Sequence, residues 1–178
     1  MWLCKENLCW AAGIFLFFVN TSVFADSMTE RKKLAGHPGL SASQSEQLSI
    51  DQQWQVRAAL ASNRRTPTTV LHKLAQDHEL MVRIAVATNL STPHGTHMLM
   101  AQDKDKSVRS VVARFEYIPA EVLASMAADP DPEIRLEVAR NLNTSMATLK
   151  QLSQDNFPDV AAIAAQSLTR REIEARGE

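Results

Sequence analysis

DPDPEIRLEVARN, residues 129–141, recurs along the chain in altered form, as DQQWQVRAALASN at 51–63 and as DHELMVRIAVATN at 77–89. Each copy begins with Asp, has Arg six residues later and ends with Asn, and the copies are offset by 26 residues or by a multiple of 26. Apolar residues between these positions follow the spacing of one helical face. A gap-free internal repeat of this length predicts an array of stacked repeats.

Four further columns keep the same offset without an insertion, and three of them are apolar while the fourth is alanine. The apolar columns are Val56, Val82, Val108, Ile134 and Val160; Leu60, Val86, Val112, Val138 and Ala164; and Leu48, Leu74, Met100, Met126 and Leu152. The alanine column is Ala35, Ala61, Ala87, Ala113, Ala139 and Ala165. Such columns predict one continuous core shared by neighbouring units.

Each unit is predicted to hold two short helices. The first helix should open at or near the column Asp, because Asp can cap free backbone amides, and it should end at an Asn such as Asn63 in a left-handed conformation. Thr66-Pro67 is predicted to open the second helix, with Thr as the N-cap and Pro at the first helical position. Leu71 and Leu74 then supply the buried edge of that helix.

The predicted architecture is all-α, a right-handed α-solenoid of about five 26-residue two-helix repeats behind a signal peptide. Its predicted parts are a signal peptide at 1–25, an N-terminal capping segment with a degraded repeat at 26–50, and tandem repeats at 51–178. The tandem repeats divide into 51–76, 77–102, 103–128, 129–154 and a C-terminal cap at 155–178. We expect a monomer, because polar residues dominate both terminal units.

The first 25 residues have the pattern of a secretory signal. Lys5 precedes an apolar run at 8–19, and Val23-Phe24-Ala25 forms a cleavage site before Asp26. Cleavage near Ala25 predicts a periplasmic or secreted protein that meets the membrane only transiently. The alternative is an uncleaved N-terminal membrane anchor with the repeats facing the periplasm.

Composition narrows the classes of function. The chain has 178 residues and a formal net charge of −1, which does not favour nucleic-acid binding. Its two cysteines, Cys4 and Cys9, lie inside the predicted signal peptide, so the mature chain would have no thiol for a disulfide, a metal site or a nucleophile. The sequence contains no Gly-rich phosphate loop and no Ser-His-Asp arrangement, which predicts a protein that is not an enzyme.

The repeat resembles the variant leucine-rich repeat of bacteria and is also similar to HEAT-like helical repeats. In the first half of a unit the resemblance is carried by Asp129-Pro130-Asp131, Ile134-Arg135, Val138-Ala139 and Asn141. In the second half of a unit it is carried by Thr-Pro followed by Val70-Leu71 and Leu74-Ala75. The resemblance covers roughly residues 30–170. It implies paired short helices and an interaction role. One member of that family carries an iron–sulfur cluster ahead of its repeats, but the cysteines needed to hold a cluster would be removed here, so no cofactor is predicted.

Charged columns could bind a ligand or could hold the repeats in register. The acidic column and the basic column stand at a fixed offset in equal numbers, which favours an internal Asp–Arg ladder, each Arg contacting the Asp of its own unit or of the adjacent unit. The alternative is an electropositive strip that grips phosphates or an acidic partner. The ladder residues are Asp51, Arg57, Asp77, Arg83, Asp103, Arg109, Asp129 and Arg135, with Arg31 ahead of them.

Histidine and methionine side chains in the first two tandem repeats suggest soft-metal binding in an exported protein. His97 and Met100 fall in leucine columns and are therefore expected in the core. His72, His94 and Met98 remain as weak candidate ligands, but their spacing does not form a closed set. No metal is therefore predicted.

The 103–128 repeat departs from the pattern, reading Arg114-Phe115-Glu116-Tyr117-Ile118 where neighbouring repeats have Asn, a variable pair and Thr. Aromatic residues and arginine in a loop are typical of interaction hot spots, and Arg64-Arg65 occupies the equivalent loop two repeats earlier. The alternative is that Phe115 enters the core and Tyr117 only covers it. Trp54 is expected to pack at the base of its helix.

These patterns together predict an exported, non-catalytic repeat scaffold that binds another protein or an envelope component through its loops or its groove. The alternatives are a groove-binding enzyme or ligand-binder of HEAT-like type, and a metal-handling protein that uses the histidines and methionine named above.

Overall fold

A computed structural model of the protein describes residues 27–177, and every regular element in this part of the chain is an α-helix. The prediction of an all-α repeat fold is therefore confirmed. The predicted signal peptide, with Cys4 and Cys9, lies outside the described residues. The helices are α1 (Met28–Ala35), α2 (Ala42–Leu48), α3 (Trp54–Ser62), α4 (Thr68–Leu74), α5 (Leu80–Ala87), α6 (His94–Met100), α7 (Lys106–Arg114), α8 (Ala120–Met126), α9 (Pro132–Arg140), α10 (Met146–Leu152) and α11 (Pro158–Arg176).

The helices stack in the order of the sequence. The first helix of each unit contacts the first helix of the next, from α1 through α3, α5, α7 and α9 to α11. The predicted apolar columns line this stack, and Val56, Val82, Val108 and Ile134 are all fully buried. Because helices of seven to nine residues are marginal alone, the buried seam between units supplies the stability of each one.

The last helix differs from the others because the sequence signals that end a first helix are missing. Ser167, Arg170 and Arg171 stand at the positions of the Asn, Thr and Pro of earlier repeats, and α11 runs through all three. The prediction of a buried Ala165 is wrong: this alanine is exposed, since no later unit packs on it in the described part of the chain.

The column aspartates do not cap the first helices, which begin three residues later. Asp51 instead holds the preceding turn, because its Oδ1 accepts a hydrogen bond from the Gln53 backbone N–H at 2.9 Å. The caps of α7 and α9 are Asp105 and Asp131, each of which accepts from the backbone N–H two residues ahead. The predicted capping role is therefore correct only for the second Asp of the 129–132 segment.

The Thr-Pro pairs also act differently from the prediction. Thr66 Oγ1 donates to the Leu60 carbonyl at 2.6 Å, so its side chain closes the end of α3 and does not cap α4. Pro67 is extended, with φ −56° and ψ 143°, and it is itself the N-cap residue of α4. Proline still suits this position, because the backbone N–H that it lacks has no helical partner.

Two surface features complete the fold. Trp54 begins α3 at its base, and 37% of the residue is exposed, so most of its surface is covered. Among residues 27–177, no helix combines the length and the apolar character needed to cross a bilayer.

Candidate functional site

An arginine–aspartate ladder runs between the units. Each column Arg donates through Nε to the carboxylate of the Asp that lies 20 residues later, at the start of the next unit. These side chains are largely buried; those of Arg83 and Asp103, for example, are 5% and 8% exposed. The pairs and their closest distances are Arg31–Asp51 2.6 Å, Arg57–Asp77 2.6 Å, Arg83–Asp103 2.8 Å, Arg109–Asp129 2.8 Å and Arg135–Asp155 2.6 Å.

The same arginines also contact their own unit. Arg57 Nη1 donates to the backbone carbonyl of Asp51 at 2.6 Å, and Arg83 makes the equivalent bond to Asp77 at 2.9 Å. Burial alone would raise the pKa of the Asp77 carboxyl, but hydrogen bonds from Arg57 and from the Glu79 backbone outweigh burial and hold that pKa below its usual value. The guanidinium groups therefore use most of their N–H donors in hydrogen bonds within and between units, and few N–H donors remain to bind an external phosphate.

A second ladder, made of asparagines, holds the loops between paired helices. Asn89 Nδ2 donates to the Ala61 carbonyl at 2.6 Å and to the Asn63 carbonyl at 3.0 Å, both in the preceding unit. Asn63 and Asn141 make the same pair of bonds. The prediction that these residues end helices in a left-handed conformation is wrong: Asn63 and Asn141 are extended, with φ of −77° and −68°.

The 103–128 repeat interrupts the asparagine ladder, because Phe115 stands in the asparagine column. The Ala87 carbonyl, which an asparagine at 115 would have bonded, instead meets His97 Nε2 at 3.2 Å. A carbonyl only accepts, so Nε2 carries the proton. The rings of His97 and Phe115 lie 5.8 Å apart. The two departures from the repeat thus compensate each other: Phe115 removes a donor, and His97, in a leucine column, restores one.

This replacement makes stability depend on pH near neutrality. Burial lowers the pKa of His97 below the ordinary value of 6.5, with the hydrogen bond to Ala87 opposing only part of that effect. The unfolded chain therefore binds more protons than the folded chain once the pH falls below about 6.5, and stability is lost as the pH falls further.

The variant His97→Gln keeps a side-chain donor but does not titrate. We expect its free energy of unfolding, from urea melts at about pH 7.5 and about pH 5.5, on either side of the ordinary histidine pKa of about 6.5, to fall less between the two pH values than that of the wild type. His94→Gln, at an exposed histidine of the same helix, is the control and should lose stability as the wild type does. Equal losses in His97→Gln and wild type would contradict the assignment.

The loops between paired helices form a surface that we call the loop rim. It consists of the two residues that follow the asparagine column in four successive repeats: Arg64 and Arg65, Leu90 and Ser91, Glu116 and Tyr117, and Leu142 and Asn143. Hydrogen bonds join these loops: Ser91 Oγ donates to the Arg64 carbonyl at 2.7 Å, and Asn143 Nδ2 donates to the Glu116 carbonyl at 2.6 Å. The rim positions therefore lie beside one another from repeat to repeat.

Three of the rim residues expose large apolar side chains: 42% of Leu90, 63% of Tyr117 and 67% of Leu142 is exposed. Phe115 lies just beneath, half-buried against the core, and its ring meets that of Tyr117 edge-on at 5.9 Å. Phe115 thus packs inward while Tyr117 faces solvent, and the interpretation of this loop as a docking surface stays a prediction.

Shallow clefts flank the rim. One, of about 290 Å³, lies beside Arg114, Phe115 and Glu116. The Arg114 guanidinium lies 3.8 Å from Glu137 but is mostly exposed. The larger cleft, of about 570 Å³, is lined by Leu142 and by residues of α10 and α11. The larger cleft borders the exposed apolar rim residue Leu142, and the smaller one borders the rim residue Glu116.

Two of the candidate metal ligands contact neighbouring hydroxyl groups. His72 Nδ1 lies 3.1 Å from Thr96 Oγ1, and the Met98 sulfur accepts from Ser125 at 3.8 Å. His97 is buried in the core, as its column predicts. Within residues 27–177, no group of three or more His, Cys, Asp or Glu side chains is placed to hold a metal ion.

Sequence reasoning missed two sets of contacts. The asparagine column was visible, but its partners lie 26 and 28 residues back in the chain, which no local pattern reveals. The bonds from Ser91 and Asn143 to neighbouring loops come from positions that vary between repeats, so the sequence carries no signal for them.

The comparison with solved structures gave matches. A solved structure, described as a leucine-rich repeat variant with a novel repetitive structural motif, matches 82% of this chain at 28% identity with a TM-score of 0.63. The chain covers 58% of that protein's length, which is less than two thirds. No family model and no curated protein matches the sequence. The match agrees with the helical repeat fold and with the resemblance carried by the repeat itself.

Proposed function

We propose that this chain, a helical repeat protein similar to a leucine-rich repeat variant, is an exported, non-catalytic scaffold that binds another protein of the cell envelope through its loop rim. The observation that carries the proposal is the row of Leu90, Tyr117 and Leu142, three large apolar side chains exposed on successive loops. A soluble protein rarely exposes such a row without a partner to cover it.

The rim has the properties of a preorganised binding surface. The asparagine ladder and the bonds from Ser91 and Asn143 fix the loop backbones, so binding costs little ordering of the main chain. Tyr117 offers a rigid aromatic contact with two side-chain torsions, and Arg64 and Arg65 flank the row. Tyrosine and arginine are enriched among the residues that dominate binding energy.

Export rests on the first 25 residues. The basic Lys5, the apolar run at 8–19 and the small residue Ala25 before Asp26 are typical of a cleaved secretory signal, and we place the mature protein in the periplasm on that basis. The uncleaved form would anchor the same scaffold at the membrane, with the rim facing the same compartment.

The binding proposal is tested by co-purification from envelope extract with tagged wild type, Tyr117→Ala and Leu99→Ala. Tyr117→Ala should lose a specific partner that the wild type retains, because a central aromatic contact contributes about 2 kcal/mol or more. Leu99 is the matched control, since 41% of it is exposed but it lies on α6, away from the rim. Equal recovery of the partner by wild type and Tyr117→Ala would contradict the proposal.

A further inference from the structure

The spacing of the loop rim restricts the shape of what it can bind. Successive rim loops follow successive first helices, and packed helices lie about 8–10 Å apart. The rim therefore presents one docking position about every 8–10 Å along the stack. From Arg64 to Leu142 there are four such positions.

A polyproline II segment matches this interval. It rises about 3.1 Å per residue with three residues per turn, so side chains on one face recur about every 9.3 Å. A β-strand of similar length places every third side chain on alternate faces, and an α-helix needs about six residues to rise 9 Å. The polyproline II conformation brings one side chain in three to each successive loop on a single face, whereas an α-helix that keeps one face toward the loops comes near this interval only every seven residues, after a longer rise of about 10.5 Å.

The side chains at the four rim positions indicate which kind of partner group each position would bind. Arg64 and Arg65 are exposed, and no ion pair within residues 27–177 involves either of them, so they favour an acidic group. The next three positions expose Leu90, Tyr117 and Leu142, which favour apolar groups. An aromatic ring beside a shallow groove is also how proline-rich segments are commonly bound.

The backbone carbonyl of Leu90 also favours a partner in the polyproline II conformation. The carbonyls of Arg64 and Glu116 accept hydrogen bonds from the following loop, but Tyr117 replaces the polar residue that would reach the carbonyl of Leu90. Among the described residues nothing donates to this carbonyl. A polyproline II segment has no internal hydrogen bonds, so a non-proline residue within it has an N–H free to donate there.

We propose that the partner of the loop rim is a linear protein segment in the polyproline II conformation, with an acidic residue facing Arg64 and Arg65 and an apolar residue at every third position after it. This inference rests on the proposed function and names the kind of partner. About ten residues span the four rim positions, at about three residues per repeat.

The proposal is tested by fluorescence anisotropy with labelled peptides and the purified mature chain. The probe is Glu-Glu-Pro followed by three Leu-Pro-Pro triplets, and its reversed sequence covers the opposite chain direction. A second peptide has the same composition but places its leucines two residues apart. A third replaces both glutamates with lysines.

We expect one direction of the probe to bind at least about tenfold more tightly than the peptide with altered spacing and the lysine peptide. Tyr117→Ala should weaken probe binding about tenfold or more, and Leu99→Ala should change it less than about twofold. Thermal melts of both variants, compared with the wild type, show that each is folded.

Equal binding of the two leucine spacings, absence of binding by both directions, or unchanged binding by Tyr117→Ala would each overturn the polyproline II proposal. The co-purification distinguishes this failure from a failure of the proposed function. If Tyr117→Ala still loses its envelope partner while no probe binds, the rim binds a partner of another shape. If the partner is retained as well, both proposals are wrong.

Discussion

Replacing Arg83 with alanine should lower the free energy of unfolding by about 3 kcal/mol. The Arg83 side chain is 5% exposed and donates to the Asp103 carboxylate and to the Asp77 carbonyl. Removing it leaves the buried Asp103 carboxylate without its counter-charge, and that desolvated charge is the main source of the loss. Urea melts of the purified mature chain measure the change.

Arg114→Ala is the matched control for this prediction. Arg114 is exposed and lies 3.8 Å from Glu137, so its removal should cost less than about 1 kcal/mol. An Arg83→Ala melt that coincides with the wild type would show that the buried ladder does not hold the units together.

Replacing Asn89 with alanine should cost about 2 kcal/mol. Asn89 is buried, donates to the Ala61 and Asn63 carbonyls and accepts from the Ser91 N–H at 2.8 Å. Its loss leaves buried backbone groups without hydrogen-bond partners. Each such group costs about 1–3 kcal/mol, and the cost is smaller where a water molecule replaces the lost hydrogen bond.

Asn156→Ala serves as the control, because Asn156 is exposed and should change stability by less than about 0.5 kcal/mol. Similar melts for Asn89→Ala and Asn156→Ala would mean that the asparagine ladder does not stabilise the loops.

The periodicity of the sequence was sufficient to predict the fold. A column such as Val56, Val82 and Val108 indicates that each unit places that residue in the same environment. Apolar columns without a gap predict a shared core. The two-helix unit also followed, since prolines and asparagines recur between the apolar stretches.

The same periodicity does not predict which atoms form hydrogen bonds with the polar side chains of a column. Asn63 fits a helix end by local rules, but in the structure its side chain reaches the Ala35 carbonyl, 28 residues back. Thr66 fits a helix cap, but it bonds backward to Leu60. Both errors arise because stacking brings the preceding unit within reach, and tertiary partners override local capping preferences.

The candidate site was predictable only as an irregularity. The loss of the asparagine at 115 marked the 103–128 repeat as different, but nothing in the sequence linked Phe115 to His97, which lies in another helix. The sequence also carried no indication that Leu90 is exposed, because a leucine in a repeat is normally assigned to the core.

Successive units are joined through the arginine–aspartate ladder, and the coupling between Arg83 and Asp103 tests this most directly. Urea melts of Arg83→Ala, Asp103→Ala and the double variant give that coupling free energy. The ladder predicts that the two single losses together exceed the loss in the double variant by about 1 kcal/mol or more. Losses that add to within about 0.5 kcal/mol would show that the two residues act independently and that the ladder does not join the units.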